Sequence, residues 1–239
     1  MVKNSFIAAA GSLLLLSACC GENCNDKKQC DSSSQTSTTA SLAVQSGIKF
    51  SETTPNKKDG KKVLVVSASP RKGGNTDILA DAFVKGAQEA GGNVEKIFLA
   101  DSTLTFLSEE GANQPKSISR DNPTGRIVEK FLAADVVVLA APTYYMNVND
   151  RMKTFIDATY LAFGDERMGG KEYYYMTACA DASDETAEWC FNGFRGFVMC
   201  LPSATERGYV RAIGMGRAGA VKDTQFETQA YELGKTINK

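Results

Sequence analysis

The chain of 239 residues contains no histidine. That absence removes the Ser-His-Asp triad, the Cys-His pair and every metal site built on imidazole. Chemistry therefore falls to carboxylates, amines, thiols, phenols or a bound cofactor. Excess charge is lacking too. With 27 basic and 28 acidic residues the net charge is −1, which provides no polyanion-binding surface and excludes nucleic acid as a partner. The apolar run near the N-terminus, Phe6 to Leu16, is shorter than the roughly 20 residues that cross a bilayer comfortably. No Gly-Lys-Ser/Thr phosphate loop follows a strand, which disfavours ATP. The one G-x-G-x-x-G pattern, "GMGRAG" from Gly214 to Gly219, leaves only 20 residues behind it. That is too little chain for the next strand and its acidic ribose ligand, so these glycines read as a loop beside a site.

What is present begins with "MVKNSFIAAAGSLLLLSACC", one lysine, an apolar run and then small residues, the pattern of a secretory signal. "LSAC", Leu16 to Cys19, resembles the bacterial lipobox, which implies cleavage before Cys19 and lipidation of that cysteine. The plainer alternative is an ordinary signal cut near Ala18, with Cys19 left as a thiol. From Cys20 the composition turns to Ser, Thr, Asn, Lys, Gln and Asp, as in "DSSSQTSTTAS", with too little apolar surface to order itself. The expected organisation is a signal over 1–18, a tether over 19–60 and a globular domain over 61–239. Cys20, Cys24 and Cys30 fit no zinc or iron–sulfur spacing, and in an exported chain they are open to oxidation.

The 43% apolar content suits one globular core, and from Lys61 strand-like and helix-like segments alternate. "KVLVVS" is an apolar run ended by a turn. Ile78, Leu79, Ala82, Phe83, Gly86 and Ala87 then share a helical face that stops at "AGG". "NVEKIFL" and "DVVVLAAP" read as strands, and Met152, Phe155, Ile156, Thr159 and Tyr160 as a helical stripe. "KEYYYMTACA" is a fourth strand, Thr186 to Leu201 a helix and "GYVRAIGMG" a fifth strand. A last helix shows Phe226, Ala230, Leu233 and Ile237 on one face. The segment from Asp101 to Thr124 shows no clear period and reads as an excursion over the carboxyl edge. Five strands alternating with helices predict a doubly wound parallel sheet in a three-layer α/β/α sandwich, with ligands beyond the carboxyl ends of the strands.

The first strand runs into Ser67, Ser69, Arg71, Gly73, Gly74, Asn75 and Thr76, and then a helix. A helix start offers unsatisfied amides and a positive dipole end. Glycines allow close backbone approach, and the hydroxyls and Arg71 add donors, so the loop reads as a phosphate site. Asn75 or Thr76 is the expected cap.

"SASPRKGGNT" resembles the phosphate loop of the flavodoxin-like NAD(P)H-dependent flavin mononucleotide (FMN) reductases. "APTYYMNVNDRMKTFIDATY" resembles that family's second signature, and "FRGFVMCLP" and "YELGK" are similar to segments of the group, which includes the iron–sulfur flavoproteins. The resemblance covers roughly Lys61 to Lys239 and implies a flavodoxin-like fold with bound FMN. It places Ser67, Ser69, Arg71, Asn75 and Thr76 at the FMN phosphate. Pro142, Thr143, Tyr144, Tyr145, Met146 and Asn147 would flank the isoalloxazine ring, and Thr177, Ala178 and Cys179 fall at a third flavin loop. An aromatic pair after a buried strand offers stacking surface, and backbone amides or Asn147 can tune the ring edge. Where iron–sulfur members carry a cysteine cluster this chain reads "LTFLSEEGANQPKS", so no cluster is expected. Arg151 and Ala158 also depart from the family pattern, at positions that bear on subunit contacts and nicotinamide docking. The implied function is an extracytoplasmic, membrane-tethered FMN oxidoreductase. It would pass electrons from NAD(P)H, the quinone pool or a membrane redox partner to a small acceptor such as a quinone, a flavin or an aromatic compound. A homodimer is expected by analogy. The alternative is a non-catalytic flavin-binding lipoprotein or electron carrier.

Overall fold

The structure, a computed structural model, describes residues 60–113 and 121–239. The expectations for the signal, Cys19, the tether and its cysteines lie outside the described residues. Among the described residues no helix is long and apolar enough to cross a membrane.

Five strands form the parallel sheet: β1 (Lys62–Ser67), β2 (Asn93–Phe98), β3 (Val136–Tyr144), β5 (Glu172–Ala178) and β6 (Thr205–Ala212). Their spatial order is β2-β1-β3-β5-β6, so the chain leaves β1 to one side for β2 and returns on the other for β3. The predicted doubly wound, flavodoxin-like sandwich is what forms. A sixth, two-residue strand, β4 (Asn147–Val148), pairs antiparallel with the end of β3. It was not expected, because two residues carry no period.

Alternate residues of each strand face opposite layers. Val63, Val65, Val136, Val138, Tyr174 and Met176 pack against α1 (Asn75–Glu89) and α6 (Gln225–Gly234). Leu64, Val66, Val137, Leu139, Tyr173 and Tyr175 pack against α3 (Pro123–Ala133), α4 (Asp150–Ala158) and α5 (Asp184–Met199). Both faces are covered, which is why the strands read as near-continuous apolar runs.

Three expectations need correction. Within and after the stretch read as aperiodic lie a short helix, α2 (Glu109–Asn113), and the longer α3. The start of α3 is written in "DNP": Asn122 Oδ1 accepts from Gly125 N at 2.9 Å and Pro123 takes the first helical turn. Tyr160 leaves the core. Helix α4 ends at Ala158 and continues as a tighter turn over Thr159–Ala162, whose shorter period swings Tyr160 outward to stack on exposed Phe163 with centroids 5.2 Å apart. Helix α5 starts two residues before its expected Thr186, because Ser183 Oγ accepts from Glu185 N and fixes the start.

Helices α1 and α6 touch backbone to backbone. A methyl on Gly86 would sit 2.0 Å from the Tyr231 carbonyl oxygen, and one on Gly234 would sit 2.3 Å from that of Phe83. At the amino end of the sheet, buried Lys171 donates to the carbonyls of Leu132 (3.0 Å) and Ala134 (2.6 Å), closing the end of α3. Burial pushes its ammonium down to about 8.

Glycine to alanine inside a helix ordinarily stabilises. Here Gly86→Ala is expected to destabilise by about 2 kcal/mol through overpacking, measured by urea unfolding. Lys171 sets a pH signature. Its folded value is about 8 against 10.5 in the unfolded chain, so the unfolded state binds more protons between the two, and stability rises with pH across that window. Above about 10 the buried phenols of Tyr173 and Tyr175, raised by burial, act in the opposite sense. Wild-type urea midpoints should therefore rise between about pH 8 and 10 relative to Lys171→Met.

Candidate cofactor site at the carboxyl edge

The β1–α1 loop is built around a helix that starts without a side-chain cap. The cap position is Gly74, not Asn75 or Thr76, and no side chain accepts from the first amides of α1. The close packing of the loop explains the glycine. Ser69 Oγ donates to the Arg71 carbonyl at 2.8 Å and accepts from Arg71 N at 3.3 Å. A methyl on Gly74 would lie 2.8 Å from that hydroxyl and 3.0 Å from that carbonyl. Gly73 turns the chain with φ +66°. The result is a concave run of amides with a positive helix end.

The predicted phosphate residues divide by task. Ser67 is fully buried, and its Oγ donates to Asp77 Oδ1 at 2.8 Å. Asn75 is turned away, its side chain bonded to the main chain of residues 215–221. Thr76 is buried and makes no side-chain hydrogen bond among the described residues. Arg71 is exposed and has no ion pair among them. Arg71, Thr76 and the amides at the start of α1 are therefore the donors of this loop left without a side-chain partner among the described residues.

Asp77, which sequence reasoning missed, supports this arrangement. Its carboxylate sits in the first turn of α1, accepts from Gly73 N at 3.0 Å and pairs with Lys96 Nζ at 2.7 Å. Its charge is thus neutralised from below, and its oxygens hold the loop. The signal was available as an acid in the first helical turn. Asn149 was also missed. It is buried, donates through Nδ2 to the Ala68 carbonyl at 2.7 Å and accepts from Met152 N, so it ties the start of α4 to the β1–α1 loop.

The second cluster lies at the end of β3. Pro142 and Thr143 are half-buried, while Tyr144, Tyr145 and Met146 are 46%, 104% and 47% exposed, so an aromatic and thioether surface faces solvent beside the loop. Tyr145 and Met146 form the two-residue turn between β3 and β4, both with positive φ (49° and 57°). That geometry suits a twisted hairpin but normally selects Asn or Gly, and each bulky residue in it costs about 1–2 kcal/mol. Strain of this kind accumulates at ligand sites. Asn147 accepts from its neighbour Val148 N, and a methyl on Gly193 would fall 2.8 Å from its Oδ1, so a notch in α5 seats the hairpin. Thr177 is fully buried. Thr143 and Thr177 hydroxyls lie 2.9 Å apart, and Thr177 donates on to the Ala141 carbonyl at 2.8 Å. Its side chain braces β3 against β5, leaving its main chain at the edge. Buried Cys179 donates to the Asp181 carbonyl, and burial raises its thiol.

The donor set fits a phosphate monoester: open helix-start amides and, among the described residues, a guanidinium and a hydroxyl without partners, beside a loop packed so closely at Gly74 that a methyl would displace Ser69 or the Arg71 carbonyl. Gly74→Ala is expected to weaken binding of riboflavin phosphate roughly tenfold, measured by calorimetric titration.

Comparison with known proteins bears on the family and the fold. A family model described as NADPH-dependent FMN reductase matches residues 61–204. An iron-sulfur flavoprotein of Archaeoglobus fulgidus is 36% identical over 100 residues, covering 40% of this chain and 44% of that protein. One from Methanosarcina thermophila is 30% identical over 101 residues, covering 42% and 53%. The match thus spans about half the length of each relative. Among solved structures, an FMN-dependent NADH-azoreductase of Bacillus anthracis in complex with FMN superposes with a TM-score of 0.56 at 15% identity, over 74% of this chain and 97% of that one. An NAD(P)H:quinone oxidoreductase of Methanothermobacter marburgensis gives 0.54 at 18%, over 74% and 99%. At those identities the likeness establishes the fold. The family match takes in more than half of the chain, and the protein belongs to the NADPH-dependent FMN reductase family.

Proposed function

We propose that this protein is an FMN-dependent oxidoreductase. It takes electrons from NAD(P)H and hands them to a small acceptor such as a quinone, a flavin or an aromatic compound. The observation that carries the reading is the uncapped start of α1 beside Arg71, which has no ion pair among the described residues, at the switch point between β1 and β3. Arg71, Thr76 and the first amides of α1 would hold the phosphate, and Tyr144, Tyr145 and Met146 would flank the ring. When bound, FMN supplies the electron-accepting and electron-donating chemistry. The chain's part is to bind, to orient and to leave one face open. No protein acid or base is needed, in keeping with the absence of histidine.

The reading extends to location and assembly. The lipobox-like "LSAC" supports lipidation at Cys19 and a tether that keeps the domain outside the cytoplasm, and exposed, stacked Tyr160 and Phe163 support a second copy as partner. A donor drawn from the membrane is the alternative to nicotinamide, and it is favoured if NADPH leaves the flavin oxidised.

The soluble part, starting near Lys57, should purify yellow and release FMN on denaturation. Arg71→Glu should weaken FMN binding on the order of a hundredfold with the fold intact, by fluorescence titration and far-ultraviolet dichroism. Under anoxic conditions NADPH should bleach the flavin rapidly. A stable one-electron spectrum, with electrons exchanged only with a protein partner, would indicate a carrier instead. A colourless protein that ignores added FMN would remove the proposal.

A further inference from the structure

The glycine-rich segment Gly214–Gly219 is held from two sides. At its start, Gly214 N donates to the Asp181 carbonyl and Met215 N to that of Cys179, both at 2.7 Å, pinning it to the β5–α5 loop. From the other side Asn75 reaches across. Its Nδ2 donates to the carbonyls of Met215 (2.8 Å) and Arg217 (2.7 Å), and its Oδ1 accepts from Val221 N at 3.2 Å. These bonds join residues at least 140 positions apart in sequence.

Asn75 is also the first residue of α1, so its own N–H is one of the amides left open at the helix start. One residue therefore turns its main chain towards the anion site and its side chain towards the wall made by 215–221. Only a carboxamide supplies two donors and an acceptor on so short a stem. Aspartate would present an anionic oxygen to two carbonyls, and serine is too short to span them.

We propose that Asn75 is a positioning residue that couples anion binding at α1 to the order of the wall from Gly214 to Val221. An anion on the amides of α1 fixes the first helical turn and with it the Asn75 side chain, so the wall stiffens. By reciprocity, a loosened wall weakens the anion. The proposal rests on the FMN reading for the identity of the anion alone.

The test is amide hydrogen exchange across 214–221, read by mass spectrometry on the soluble chain, alone, with inorganic phosphate and with FMN. In Asn75→Ala, exchange of this segment should accelerate about tenfold without any ligand, while β1 and the body of α1 keep their protection. Either ligand should slow exchange in the wild type and leave the variant unmoved. FMN affinity should fall about tenfold. Asn75→Asp, which favours the helix start and keeps an acceptor for Val221, guards against a variant that fails to fold. It should show the same loss of coupling. Unchanged exchange in both variants would overturn the proposal, as would faster exchange with FMN affinity untouched. Protection by inorganic phosphate with no response to FMN would sink the cofactor reading and uphold the coupling.

Discussion

The structure depends on a set of peptide groups left deliberately unsatisfied. Among the described residues the three helices on the other face of the sheet begin under a side-chain cap: Asn122 for α3, Asn149 for α4 and Ser183 for α5. Helix α1, the longest after α5, begins on a glycine with none. A buried helix start without partners is costly, and the surroundings exclude every internal substitute. Ser69 is occupied by Arg71, Ser67 by Asp77, and Asn75 by the wall opposite. Even the nearby carboxylate is withheld, locked against Lys96. What remains, among the described residues, is a run of open amides at a positive helix end, the kind of surface that favours an anion.

The sheet divides the labour between its two ends. At the amino edge the polar contacts are staples: Lys171 on the end of α3, Lys61 on Glu172 at 2.9 Å and Lys62 N on Asp135 at 2.8 Å. At the carboxyl edge they are cross-braces between loops, as with Asn149 on Ala68 and Asn75 on Met215. The first group holds strands in register. The second fixes the relative placement of segments that are distant in sequence, as a preformed pocket requires.

Much of this was legible in the residues. The apolar runs gave the strands because a sheet buried on both faces leaves no polar alternation. Of the stripe from Ile78 to Ala87, Leu79, Phe83, Gly86 and Ala87 are buried in α1, with Ile78 and Ala82 partly buried at its border, and the hydroxyl-rich loop before it lies at the carboxyl edge of the sheet. Other features could not be read. Helix α3 hid because its signals, Asn122 and Pro123, follow an irregular polar stretch. The direction of a side chain is a tertiary fact: nothing local says that Asn75 faces residue 215 or that Thr177 points into the sheet. Tyr160 had the right spacing for a core position, but the helix tightens before reaching it, and a change of period of a fraction of a residue was enough to expose it.

The contact of α1 with α6 has a bearing on biosynthesis. Helix α1 emerges early, yet its seat is finished by Ala230, Leu233 and Ile237, far downstream in the sequence, with Gly86 and Gly234 in backbone contact. A nascent chain carries the phosphate loop long before it owns the surface that steadies it. The loop is therefore completed by contacts of high sequence separation and cannot mature segment by segment as the chain emerges.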